Sequence, residues 1–234
     1  MALKIDKSVL EKFPGVKLAV IQLSDANNKD MPETLGKLIQ EECEAIQRMV
    51  SLETLMQHPL IDQWRQAYKA FGANPKTFKC SVEALLRRVI KQGSLPRINT
   101  IVDCYNLTSV KFMLPAGSDD DRKVTGDVFL TIADGSELFV SLGTSKEESV
   151  VAGEVIYRDD SDVLCRRWNW RECEKSKLTK DTTHATLVLE GLENASSQLL
   201  TSAAEFLMDL LRKYTGGNCS FELLDGSKTE TKLS

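Results

Sequence analysis

D-V-F-L-T-I-A-D-G-S-E-L-F-V-S-L, residues 127–142, decides how the rest of this sequence is parsed. Two short runs rich in β-branched and aromatic residues flank Asp134-Gly135, a dipeptide suited to the left-handed backbone of a tight turn. The stretch therefore predicts a β-hairpin. Before it, apolar residues recur at steps of three and four; after it, they alternate. Helices first, strands next and a packing helix last define an α+β protein.

Downstream, residues 150–157, 163–170 and 182–190 read as further strands. In 163–170 a period of two puts Leu164, Arg166, Trp168 and Trp170 on one face and Val163, Cys165, Arg167 and Asn169 on the other. In 182–190, Thr183, Ala185, Leu187 and Leu189 form a core face. Thr182, His184 and Thr186 form a face more polar than a core requires, and that face is a candidate site. Asn194 is placed to cap a closing helix with an apolar stripe through Leu199, Leu200, Ala203, Phe206, Leu207, Leu210 and Leu211, stopped at Gly216-Gly217. A short strand at 219–224 precedes a polar tail expected to be disordered.

Upstream, residues 15–23 alternate as a strand. From 32 to 71 the pattern is helical, with Pro59 separating two helices and His58 as a helix-end residue. Ser81 is expected to cap the next helix and Gly93 to end it. Residues 98–113 form another helix, in which Asn99, Asp103 and Asn106 share a face at steps of four and three.

With 234 residues, 42% of them hydrophobic, the chain can bury a full core without disulfides or metal. No apolar run reaches the roughly 18 residues of a membrane span, and M-A-L-K-I-D-K-S lacks the apolar segment of a secretory signal; a cytosolic location is the expectation. Six cysteines without a C-x-x-C pair, and two histidines, assemble no local zinc motif, so reduced thiols and no metal or cofactor are expected. Asp119-Asp120-Asp121 reads as an exposed loop before it reads as a cation site. A net charge of −4 argues against a long nucleic-acid footprint, though not against contact with one RNA end. The basic stretches Arg87, Arg88, Lys91, Arg97 and Arg166, Arg167, Arg171, Lys175, Lys177, Lys180 read as solvated faces balanced by acids.

Two segments carry a family resemblance. L-P-R-I-N-T-I-V-D-C-Y-N (95–106) is similar to the helix R-P-I-N-N-V-V-D-x-T-N-Y of the bacterial phenylalanyl-tRNA synthetase β chain. L-T-K-D-T-T-H-A-T-L-V-L-E-G (178–191) resembles that family's L-x-T-D-A-S-x-R-x-E-R-G, and Ala152-Gly153 its A-G pair. Order and spacing resemble the family's B3/B4 editing module in free-standing form. The chain departs from the pattern at Leu114-Pro115-Ala116-Gly117, where the family's histidine is absent, at Arg166 in place of a glutamate, and at Lys180-Asp181-Thr182.

The resemblance implies a β-sandwich-containing core flanked by helices. It divides the chain into an N-terminal strand and helical elaboration (1–59), an editing-like domain (60–217) and a short strand with its tail (218–234). It also implies a trans-acting factor that hydrolyses the ester of misacylated tRNA, a class of device needed where binding alone discriminates poorly. Its partner is an aminoacylated tRNA acceptor end, with transient contact with a synthetase and no membrane.

On that reading His184 accepts a proton from water or orients the terminal ribose, Asn106 and Asn169 orient substrate or water, and Arg166 faces the oxyanion or terminal phosphate. Glu154 meets the α-ammonium, and Trp168 and Trp170 stack on the terminal adenine. Asn99, Asp103, Asp181, Thr182 and Thr183 complete the expected substrate-binding set. The competing readings are a non-catalytic aminoacyl-tRNA or amino-acid binding module accessory to a synthetase, and an enzyme acting on another small ester or amide.

Overall fold

The computed structural model describes residues 1–233. In chain order the elements are β1 (Ala2–Ile5), α1 (Lys7–Lys12), β2 (Lys17–Ser24), α2 (Glu33–Met49), α3 (Leu52–Gln57), α4 (Pro59–Ala70), α5 (Ser81–Gln92), α6 (Thr100–Phe112), β3 (Ala116–Asp120), β4 (Val128–Ile132), β5 (Leu138–Val140), β6 (Glu147–Ser149), β7 (Val155–Arg158), β8 (Val163–Arg166), β9 (Arg171–Glu172), β10 (Ala185–Gly191), α7 (Ser197–Thr215), β11 (Asn218–Leu224) and β12 (Glu230–Lys232).

Two sheets face one another. The larger has the order β12-β1-β4-β7-β8-β9, the smaller β11-β2-β10-β3, and β5-β6 forms a separate ribbon. Helices α6 and α7 cover the outer side of the smaller sheet, α7 packing on β2, β10 and β11 and α6 on β3. Ala185, Leu187 and Leu189 of β10 are wholly buried, as the core-face reading of that strand requires, along with Leu200, Ala203, Ala204, Leu207 and Leu211 of α7. The α+β sandwich flanked by helices is thus the fold of this chain.

Several local expectations change. Residues 127–142 are not a hairpin. Asp134-Gly135 does turn, with Gly135 at φ 94 and the Glu137 carboxylate accepting both backbone N–H groups. The flanking strands diverge, however: β4 pairs with β1 in parallel and with β7 antiparallel, and β5 pairs with β6. Both edges of β4 are already occupied, so no edge remains for β5.

The helical run 32–71 breaks twice. A capping box between Ser51 and Thr54 starts α3, and Pro59 at the first position of α4 separates α3 from α4, with His58 as its N-cap. Cys80, not Ser81, precedes α5, and Ser196, not Asn194, caps α7. Gly93 and Gly216 close their helices in the left-handed conformation, as expected.

The chain ends are integral to the sandwich. β1 supplies the parallel partner of β4, β2 lies inside the smaller sheet between β11 and β10, and the tail expected to be disordered folds back as β12 against β1. Pairing satisfies backbone groups that would otherwise form an open edge. No helix among the described residues is long and apolar enough to cross a membrane.

Candidate functional site

The two sheets do not close on each other completely. Between them lies a narrow cavity of about 30 Å³, room for about one water molecule. The even face of β10, of which sequence singled out Thr182, His184 and Thr186, continues along its floor as Thr186, Val188 and Glu190. The opposite wall brings Tyr157 from β7, Cys165 from β8 and Glu172 from β9, and the edge strand β3 adds Gly117 and Asp119.

The turn after β8 completes the wall. Arg167 (φ 47) and Trp168 (φ 67) are successive left-handed residues, each unfavourable by roughly 1–3 kcal/mol. The turn ends the strand, so Trp168 and Trp170 do not share a face. Trp168 is wholly buried, edge-on to Trp64 and Phe13 at 5.0 Å each. Burying an indole in this way offsets the backbone strain. Asn169 follows it to the cavity, while Trp170 turns outward against Phe78.

Four carboxyl groups line the cavity: Asp119, Asp121, Glu172 and Glu190. Among the described residues, no Lys, Arg or His side chain lines it with them. Glu190 is held at both oxygens, by the Tyr157 hydroxyl at 2.6 Å and the Asn169 amide at 2.5 Å, and Tyr68 donates to Asn169 Oδ1 at 2.9 Å. Burial pushes Glu190 up to about 7, and the bonds from Tyr157 and Asn169 offset only part of that.

Asp119 is likewise raised to about 7, by burial and by the charges of Asp121 and Asp159, against the opposing bond from Ser176. Glu172 lies well above its ordinary range because of burial and the facing charges of Asp119 and Glu190. Asp121 rises to about 6 by burial, and Thr186 lies close enough to draw it back somewhat. Even so, among the described residues neither Asp121 Oδ1 nor Thr186 Oγ1 makes a hydrogen bond of good geometry. Ser118 Oγ and Trp168 Nε1, on two other lining residues, are likewise buried without a hydrogen bond among the described residues. Buried polar atoms are normally satisfied, so four such atoms around one narrow space call for a polar occupant.

Gly117 makes room here. A Cβ at that position would lie 2.8 Å from Glu172 Oε1, so glycine lets the acid cross from the opposite sheet. The Asp119-Asp120-Asp121 stretch is therefore no exposed loop. Asp119 faces the cavity, and Asp120 is buried, accepting from Thr182 Oγ1 at 2.7 Å. Among the described residues no group of three or more His, Cys, Asp or Glu is arranged to hold a metal ion.

The expected site residues scatter. His184 sits outside the cavity, in a shallow depression with Arg122; Met1, Asp121 and Val124 border both spaces, so His184 marks the rim of the mouth. Its Nδ1 lies 2.9 Å from Thr183 Oγ1. Asn106 is buried on α6 and lines neither space. Arg166, expected to face the oxyanion or the terminal phosphate, forms a two-pronged pair with Glu154 (2.8 and 3.1 Å) and reaches Glu148 at 3.3 Å. Glu154, expected to meet an ammonium, is neutralised by Arg166 and by Arg167 at 3.0 Å.

Asn99 caps α6 through Val102 N–H, and Asp103 is bound by Arg97 and the Ile98 N–H; both are structural. Asp181 is exposed and Thr182 is spent on Asp120. Of the expected catalytic and substrate-binding set, Trp168 and Asn169 alone line the cavity, joined by Thr186 of the polar face of β10. Its acids were missed because they belong to four separate strands or loops. The polar parity of 182–190, extended to Glu190, pointed at one of them, and Asp119 and Asp121 stood in a stretch weighed as a cation site but read first as an exposed loop.

A helix-flanked sandwich whose two sheets enclose an acid-lined cavity defines the class of this protein. The B3/4 domain model matches residues 63–216, and the chain belongs to the B3/4 domain family. The matched span leaves out β1, β2, β11 and β12, which complete the sheets. The chain is also similar to a crystallised N-terminal fragment of the phenylalanyl-tRNA synthetase β-subunit from Pyrococcus horikoshii, with 12% identity and a TM-score of 0.48. That similarity covers 93% of this chain and 49% of the fragment, so the chain spans about half the fragment's length. No curated protein matches the sequence.

Proposed function

We propose that the chain hydrolyses the ester of misacylated tRNA in trans, with the aminoacyl group at the mouth of the cavity between the sheets and only its water-sized α-ammonium directed inside. The observation that carries this reading is a set of four carboxyl groups around the cavity with no Lys, Arg or His side chain lining it among the described residues. Burying acids without a partner is unfavourable, and the α-ammonium of an aminoacyl ester supplies the missing charge. Glu190, fixed by Tyr157 and Asn169, and Glu172 across from it receive that ammonium. Arg122 and His184 stand at the rim, where the terminal ribose and phosphate would remain outside.

Asp119 is the base. Ser176 holds one of its oxygens, the other is bonded to no protein donor among the described residues, and a value of about 7 suits proton abstraction near neutral pH. Water loses a proton to Asp119 as its oxygen bonds to the ester carbon. The bond from that carbon to the ribose oxygen then breaks, and the proton passes to the departing hydroxyl.

The test is a panel of mischarged tRNAs. The wild-type chain is expected to deacylate at least one of them while sparing its matched pair. Asp119→Asn should lower the rate by about 10²- to 10⁴-fold with binding retained, and Glu190→Gln should weaken binding. A stable complex with charged tRNA and no loss of the ester over time would instead establish the non-catalytic binding module. No binding and no hydrolysis across the panel overturns both.

A further inference from the structure

The far side of the 167–170 turn carries a second feature. Lys69 and Lys76 line a shallow depression with Arg65 and the 72–75 turn, and no carboxylate among the described residues lines it. Lys79 follows, its ammonium donating to the Lys76 carbonyl at 2.7 Å. Next to it, Phe78 packs edge-on to Trp170 at 5.0 Å. Trp170 has the Arg167 guanidinium at 4.7 Å and that of Arg171 at 5.2 Å from its ring.

The two arginines differ. Arg167 is buried and paired with Glu154; Arg171 is exposed. The ion pairs among the described residues leave out Lys69, Lys76, Lys79 and Arg171 alike. Most cationic surfaces on an acidic protein are answered by neighbouring acids; this one is not. The carboxylate beside it, Glu83, is buried and already bound by both Arg65 and Arg87.

We infer that Lys69, Lys76, Lys79 and Arg171 form a docking surface for the phosphodiester backbone of RNA, separate from the cavity. A guanidinium stacked on an aromatic ring is already oriented, so Arg171 loses less freedom on meeting a phosphate, while its N–H edge stays open. The lysines add point charges along one line of chain. The net charge of −4 makes such a surface selective, because the remainder of the molecule repels a polyanion and leaves one orientation favoured. This inference rests on the tRNA reading above for the identity of the RNA, but it concerns a different part of the molecule.

The test compares wild type with Lys76→Glu/Lys79→Glu and with Arg171→Glu, each checked by thermal melt to be folded. Binding of uncharged tRNA is measured at several salt concentrations, and hydrolysis is measured on aminoacyl-adenosine, which has no backbone to dock. The expected result is tRNA affinity falling about tenfold or more, a slope of log affinity against log salt shallower by roughly one for each phosphate no longer neutralised, and unchanged turnover of aminoacyl-adenosine. Unchanged tRNA affinity and slope overturn the inference, as does equal binding of wild type to vesicles rich in anionic lipid. If Glu190→Gln and Asp119→Asn leave hydrolysis intact while the surface variants no longer bind tRNA, the catalytic reading fails and the docking surface stands.

Discussion

Two clusters of charge lie on either side of one strand end, and they are built on opposite rules. Around Arg166 every charge is answered: two arginines share Glu154, and Glu148 meets the remaining guanidinium nitrogen. In the cavity, four acids gather with no Lys, Arg or His side chain among the described residues lining it, and four of the lining residues have a buried polar atom left without a bond. The first cluster locks the β8 turn in place; the second stores an unmet demand for positive charge. Residue types rich in chemistry do not distinguish them. Whether the partners are supplied from within the chain does.

The largest test breaks the satisfied cluster. Glu154→Ala leaves the Arg167 guanidinium unpaired and Arg166 with only the half-exposed Glu148, and the expected loss is about 3–5 kcal/mol of unfolding free energy, measured by urea denaturation with an accompanying fall in melting temperature. A loss below about 1 kcal/mol would mean that the arginines find water instead, and the two clusters would then no longer differ in kind.

The next test uses pH. Glu190 titrates at about 7 in the folded chain and at 4.5 as an unperturbed group. Because its folded value is raised, the folded state holds the extra proton between those values. Stability is therefore highest at the acid end of that window and declines as pH rises from about 4.5 to about 7. Asp119, raised to about 7 from 3.8, contributes with the same sign. Glu190→Gln should flatten part of this decline in melts collected across the window. Binding of a cationic aminoacyl analogue should strengthen over the same range, since the ammonium favours the ionised acids; calorimetry showing no pH dependence would contradict the cavity's role.

A smaller effect is expected at Gly117. The added methyl of Gly117→Ala meets the flexible end of Glu172 and displaces it. A stability change of about 1 kcal/mol or less should accompany a several-fold weakening of analogue affinity, read by titration. Smallest is Thr186→Val, which removes a hydroxyl with no hydrogen-bond partner among the described residues and should leave stability within about 0.5 kcal/mol or raise it slightly. A clear destabilisation would show that Thr186 is satisfied after all and would weaken the contrast between the clusters.

Much of the fold is legible in the order of residues. The core face of β10 follows from alternation at Ala185, Leu187 and Leu189, and the stops at Gly93 and Gly216 follow from the freedom glycine has to adopt positive φ. The failures share one cause. Period two cannot register the left-handed pair Arg167-Trp168, so it grouped two tryptophans that the chain sends in opposite directions. Asp134-Gly135 marked a true turn, but only the pairing of β4 with β1 and β7 could show that its arms separate.

The site was legible in still smaller part. Asn99, Asp103, Glu154 and Arg166 looked like binding groups because their types are those of binding groups, and each turned out to have its partner within the fold.

What the sequence determined alone is what local rules govern: a helical run between an early strand and the later strands, where most of the helices stop, and which side of β10 is apolar. Tertiary structure alone decided that Asp119, Asp121, Glu172 and Glu190 line one cavity with no Lys, Arg or His side chain among the described residues, while Arg166 and Arg167 were matched elsewhere. The physical reason is that burial and pairing of a charge depend on neighbours distant in sequence, and no pattern within a single segment records which neighbours those will be.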